Sequence, residues 1–154
     1  MPRVMINLNN SVATLSYVVD SPVGLGCGNR REDVLLVQHM LRVAWEDSPL
    51  SKGFRPPGET KPLNADGVWG PVSTRFLKFF QEEAKRRGAN VLLDQRVDPP
   101  VSGTSQGANS KTFYTTLALN SARNARRIAN QANIAADAGF PGELVRYLYV
   151  DWGA

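Results

Sequence analysis

The stretch ADGVWGPVSTRFLKFFQ, Ala65 to Gln81, decides the fold. Asp66 opens a tight turn, Gly67 supplies a residue free to adopt positive φ, Gly70 lets the chain bend again, and Thr74 leads into an apolar run. Pro71 suits the first helical position, where the N–H it lacks would have no partner anyway. A second, damaged copy follows as LDQRVDPPVSGTSQGANSKTFYTTLALN, Leu93 to Asn120, in which Asp94 opens the turn and Thr112 leads into the helix. Asp66 to Thr74 is eight positions and Asp94 to Thr112 is eighteen, so ten extra residues, Pro100 to Asn109, interrupt the second copy. Two copies of a turn-helix unit imply an internally duplicated helical module.

Outward from that stretch, the pattern predicts a helix over 71–87 whose Phe76, Leu77, Phe79 and Phe80 form a wide face that must be buried. Lys85, Arg86 and Arg87 before Gly88 read as cations in the last turn followed by a glycine cap. Upstream, Val34, Val37, Leu41, Ala44 and Trp45 recur at helical spacing, with Leu36 and Met40 widening the stripe and Glu32, His39, Arg42 and Glu46 on the other side. Asn29 reads as the N-cap of this helix, with Glu32 completing a capping box and Asp33 suiting the helix dipole. The proline-rich 49–62 stretch is a loop of the kind often found at binding surfaces.

Val4 to Val19 alternates apolar and polar residues around Asn9, Asn10 and Ser11, which predicts a β-hairpin. A third helix is expected from Ser110 through Ala135, alanine-rich in its second half, and a last short one from Pro141 carrying Leu144, Val145 and Leu148. The expected architecture is mainly α, with one domain over 1–154: a β-hairpin extension at 1–22, a core at 23–120 and a helical extension at 121–154.

At 154 residues and 42% hydrophobic content the chain suits one ordinary domain. MPRVMINLNN contains no apolar block of secretory type, and no apolar run reaches the ~18 residues that would cross a membrane. The net charge of +4 and pI near 9.5 favour anionic surfaces in general. The arginines are not interleaved with aromatics in any nucleic-acid-binding motif, which argues against nucleic acid as a partner. Cys27 is the single cysteine and His39 the single histidine, which excludes an intramolecular disulfide and a multi-histidine zinc site. A Cys27–His39 nucleophile pair is disfavoured because His39 is expected to be solvated on the polar side of its helix. Adjacent carboxylates at Glu32-Asp33, Glu46-Asp47 and Glu82-Glu83 point different ways and make no acid-base couple. VGLGCGN lacks the lysine of a phosphate loop. No cofactor, metal or catalytic residue is expected, and the chain does not read as an enzyme.

The strings VGLGCGNRREDVLLVQHML, PLNADGVWGPVSTRFLKFFQ and LLDQRVDPP together resemble the peptidoglycan-binding domain family of small helical bundles. Val37, Gln38 and Leu41 match that family's first helix, and Asp66, Gly67, Gly70, Thr74, Phe80 and Gln81 match its Asp-Gly-x-x-Gly-x-x-Thr turn and Phe-Gln helix end. The resemblance covers Val23 to Asn120 and implies an orthogonal helical bundle. In the second copy Gln95 stands where the family has glycine, Pro100 replaces another, and the insertion follows directly.

The residues Gln38, Asp66, Gly67, Trp69, Gly70, Thr74, Gln81 and Asp94 are expected to serve mainly structure, with Trp69 plugging the core between helices. Candidates to touch a ligand are Asn64, Arg75, Asn109 and Lys111 for hydroxyls and carboxylates, and Phe54 or Tyr114 for stacking on sugar faces. The resemblance implies a noncatalytic module that binds peptidoglycan or its fragments and anchors a partner. Such a module would be made in the cytoplasm and act at the periplasm or envelope, delivered by a phage particle, lysis system or contractile secretion apparatus. The competing expectation is an interaction module of such an assembly that keeps the fold without binding glycan.

Overall fold

The computed structural model describes residues 2–9, 12–99, 114–127, 133–147 and 150–151 of the protein. Alternating residues build the hairpin as expected: β1 (Arg3–Asn9) pairs antiparallel with β2 (Val12–Val18) in a register that sets Arg3 opposite Val18 and Asn9 opposite Val12. The chain then forms a two-residue strand β3 (Val23–Gly24), α1 (Arg31–Ala44), α2 (Pro71–Arg86), β4 (Arg96–Val97) and α3 (Tyr114–Arg126). Two 3-10 turns, Ile134–Ala136 and Gly142–Tyr147, lead to β5 (Val150–Asp151), which adds to β1 in parallel. The structure is thus mainly helical with a small hairpin-based sheet, and β3 and β4 form a separate short antiparallel ribbon.

α1 is the central element. Every residue from Asp33 to Leu41 is buried, because α2, α3, β3 and the Gly142–Tyr147 turn all lie against it. Its side chains join one cluster with Tyr17 and Val19 from the hairpin end, Phe76, Leu77 and Phe80 from α2, Leu119 from α3, and Ile134 and Leu144 beyond it. Of the residues expected on the polar side of α1, His39 is fully buried, while Glu32 and Arg42 are half-buried and Glu46, just past the helix, is exposed. Asn29 is not its N-cap. The first helical turn has Arg30 at that place with no side-chain cap. Asn29, at φ 50°, instead accepts from the Gly24 N–H at 2.8 Å and donates to the Gly24 carbonyl at 3.0 Å, fixing the bend after β3. Asp33 turns away from the helix end and accepts from the Asp20 and Ser21 amides at 2.9 and 3.2 Å.

The duplication is visible as one hydrogen-bond network made twice. Gln38 on α1 donates from Nε2 to Asp66 Oδ1, the Val68 carbonyl and Ser73 Oγ at 3.1, 2.9 and 3.0 Å, while its Oε1 accepts the Gly67 N–H at 2.8 Å. Gln81 on α2 does the same to the next turn. Its Nε2 donates to Asp94 Oδ1, the Arg96 carbonyl and Thr115 Oγ1 at 3.0, 3.0 and 3.1 Å, and its Oε1 accepts the Gln95 N–H at 2.8 Å. Each glutamine thus ties its own helix to the turn that follows and to the first turn of the next helix. A third amide, Asn120 on α3, holds the Tyr17 backbone through both its N–H (2.7 Å) and its carbonyl (2.9 Å).

This network corrects the alignment of the two copies. Ser73 and Thr115 occupy the same place, so Thr74 corresponds to Thr116 rather than to Thr112, which lies outside the described residues. Asp94 to Thr116 is twenty-two positions against eight in the first copy, which makes the insertion fourteen residues rather than ten. α3 is also shorter than expected. Ser110 lies outside the described residues, the helix ends at Arg126, and Ile134 is drawn instead into the core, with its N–H on the Tyr17 hydroxyl at 2.9 Å. The expected last helix is a 3-10 turn that buries Leu144 but leaves Val145 exposed; Leu148 lies outside the described residues.

The glycines divide in the same way. Gly67 sits at φ 80°, and a Cβ there would come within 2.6 Å of Arg31 Nη1. Gln95, its counterpart, keeps the positive φ at 58° without being glycine. Gly70 sits at φ −128°, extended backbone open to any residue, so the second bend expected of it needs no glycine.

Replacing Gln81 by Leu strands the Gln95 amide and the Thr115 hydroxyl, and should lower stability by about 2–4 kcal/mol in urea unfolding; a loss under about 0.5 kcal/mol would mean the clamp carries no weight. Gln95→Gly removes the cost of a non-glycine residue at positive φ and should raise stability by about 1 kcal/mol, whereas Gly67→Ala should lower it by at least that much.

Candidate functional site

A groove of about 470 Å³ lies between the C-terminal half of α2 and α3. Its floor is made by Phe54 and Phe80, whose rings meet at 4.5 Å between centroids, and its walls by Ala84, Ala118 and Ala122. The alanines of α3, which bury little area themselves, leave the space that a larger side chain would fill. The loop after α1 brings Phe54 here, held by its N–H on the Ala44 carbonyl at 2.8 Å.

Two guanidinium groups form the rim. Arg87, one residue past α2, places its Cζ 4.1 Å from the centre of the Phe54 ring, and Arg126, at the end of α3, places its own at 5.7 Å. Both donate to the same carbonyl, that of Lys52, at 2.8 and 2.9 Å, so two positive charges stand side by side. Glu83 pairs with Arg87 at 2.9 Å. Arg126 is bound by neutral acceptors, the Glu46, Lys52 and Ala122 carbonyls and Ser51 Oγ. The nearby Glu46 carboxylate is taken by Arg127 at 2.6 and 2.8 Å. Burial and then the charge of Arg87 lower the pKa of Arg126, while Glu46 and Asp47 oppose them.

Of the ligand candidates read from sequence, Phe54 alone lines this groove. Its ring is packed on Phe80 and covered by guanidinium rather than open to a sugar face. Asn64 and Arg75 are exposed near the opposite end of α2, where Arg75 is ion-paired to Glu59. Asn109 and Lys111 lie outside the described residues, as does the side chain of Tyr114. Trp69 does not plug the core. It is half-buried against it and donates from Nε1 to Thr74 Oγ1 at 3.1 Å, bracing the turn on α2. Arg87 was legible only as a helix-end cation, and Arg126 fell inside the helix expected over 110–135.

A second polar cluster is sealed inside. Asp137 accepts from His39 Nε2 at 2.9 Å and from Arg123 Nε and Nη2, each at 2.9 Å, with all three side chains buried. Arg123 also lies 5.2 Å from the Tyr17 ring centre. Burial alone would raise the Asp137 pKa, but the hydrogen bonds from His39 and Arg123 and the charge of Arg123 outweigh it and bring it down to about 2. His39 is thereby occupied, while Cys27 lies near the surface with its thiol toward the Leu25 carbonyl at 3.6 Å, so the two form no nucleophile-base pair. Among the described residues no group of three His, Cys, Asp or Glu side chains could hold a metal ion, and no helix is long and apolar enough to cross a membrane.

No family model, no curated protein and no solved structure matches the chain.

Because the folded pKa of Asp137 lies below the ordinary aspartate value near ~3.9, its contribution is fully present above about pH 4 and is lost as pH falls toward 2. Asp137→Asn leaves Arg123 buried against a neutral group and should lower stability by about 3–5 kcal/mol at pH 7. The difference between wild type and variant in urea titrations should shrink between pH 4 and pH 2; a gap independent of pH over that range would contradict the ion-paired assignment.

Proposed function

We propose that the chain is a noncatalytic module of peptidoglycan-binding type that attaches a partner or particle to the bacterial cell wall. The observation that carries this reading is the Gln38 clamp on the Asp66-Gly67 turn, repeated by Gln81 on Asp94-Gln95. It gives the residues that resemble the family a common physical job, and it frames helices that leave an open groove. The groove supplies what an anchoring surface needs: apolar area for the faces and methyl groups of a glycopeptide, and cations for its carboxylates. Binding without chemistry accords with His39 being occupied by Asp137.

A second reading draws on the short ribbon. Leu25 is 62% exposed, and Leu92 and Leu93, which lead into the turn before β4, are 38% and 51% exposed. The Leu25 N–H reaches the Gln95 carbonyl at 3.2 Å, so these apolar side chains flank one structure. Such a surface suits a protein contact inside a phage or secretion assembly.

Pelleting with insoluble peptidoglycan sacculi across a salt series tests the first reading. A basic protein held only by charge releases as ions screen it, over a Debye length of ~10 Å at 0.1 M and ~3 Å at 1 M. Retention of most of the protein at 1 M salt is expected. Release at moderate salt, or no pelleting at all, contradicts wall anchoring and leaves the ribbon contact.

A further inference from the structure

We propose that the groove between α2 and α3 receives the carboxylate end of a peptide whose last side chains are small and apolar. The inference rests on the wall-binding reading, which uses the same groove, and deepens it by naming the chemistry of the chain end that the groove takes. Arg126 is surrounded by apolar wall and neutral acceptors, beside a second guanidinium that shares one of those acceptors. Arg87 is exposed and paired with Glu83 at 2.9 Å, whereas the acceptors that hold Arg126 are all neutral, so an anion seated at the rim would meet a partly buried charge with no carboxylate bonded to it. Arg87 spends Nε and Nη1 on Glu83, Ser51 and Lys52, and its Nη2 has no hydrogen-bond partner among the described residues. A planar guanidinium edge with a free donor matches a carboxylate.

What lies behind the cations decides the rest of the ligand. Phe54, Phe80, Ala84, Ala118 and Ala122 offer methyl groups and ring surface, which reward apolar side chains and penalise a hydrated inorganic anion. Asn90 and Ser121 line the same groove and can bond the peptide groups of an extended chain. A volume of about 470 Å³ holds a short chain end and excludes a folded partner. A nucleic-acid strand would require a run of cations along its phosphates, and here there are two at one end of an apolar trough.

The test is a titration of the full chain, labelled with nitrogen-15, with N-acetyl-trialanine as the free acid, as its C-terminal amide, and with sodium acetate and inorganic phosphate as controls. The free acid is expected to shift the amides of Ala84, Ala89 and Ala122 and to bind at least about ten-fold more tightly than the amide or either control. Ala118→Leu, which fills the groove without removing a hydrogen bond, should abolish those shifts, and R126Q should weaken binding about ten-fold while its spectrum stays folded. Equal binding by the amide would remove the carboxylate from the proposal. Equal effect of acetate or phosphate would reduce the site to an adventitious anion contact, and no shift at these residues at 10 mM peptide would overturn it. Peptide binding by a protein that fails to pellet with sacculi leaves this site standing and removes the wall-binding reading; pelleting without peptide binding does the reverse.

Discussion

A buried amide side chain has two donors and an acceptor to satisfy, and in this protein that requirement organises the chain. Gln38 and Gln81 each sit on the inner side of a helix, where an unpaired amide would cost about 1–3 kcal/mol. Each meets the requirement by gripping the turn that follows its own helix, through a carboxylate, a backbone carbonyl, a hydroxyl and an N–H. The long connections between helices can therefore vary in length, because only the residues beside the turn are held. The fourteen extra positions of the second connection enter between Asp94 and Thr116 without changing either end of the network.

The segments flanking the duplicated part are tied in by different means. Asn120 takes the hairpin backbone at Tyr17, and the Tyr17 hydroxyl takes the amide of Ile134. Asp137 then links α1 and α3 through His39 and Arg123, all three buried. A buried ion pair of this kind adds little net stability compared with apolar packing, but it admits few alternative arrangements, since separating the partners leaves a charge in the core. The short segment from Ile134 to Leu144 is thereby fixed against the helices despite having only single 3-10 turns of regular structure.

The hairpin, α1 and α2 were legible because their signals are local: alternation, helical spacing, and Pro71 at a helix start. The clamp was half legible. Gln38, Asp66, Gly67, Gln81 and Asp94 stood out as a repeated pattern, but which hydroxyl completes each network depends on three-dimensional placement, and the pairing of Thr74 with Thr112 rather than Thr116 followed from matching letters across an insertion. Asn29 and His39 were misjudged for a shared reason. A polar residue on a helix looks solvated or capping until its partner is known, and Gly24 and Asp137 lie in other elements. The groove was least legible: Arg87 and Arg126 are thirty-nine positions apart and look like ordinary helix-surface charges until α2 and α3 place them over one phenyl ring.

The groove follows from what the clamps leave open. By fixing where α2 begins and where α3 follows, they set two helices whose facing side chains are mostly alanine above a floor of two phenylalanines, and space remains between them. The most direct check is amide hydrogen exchange at Gly67 and Gln95, the two turn residues whose N–H groups are held by glutamine oxygens. Protection approaching that of the α1 amide of Leu41 is the predicted result. Exchange of both at the rate of an open loop would contradict the duplicated clamp on which the account rests.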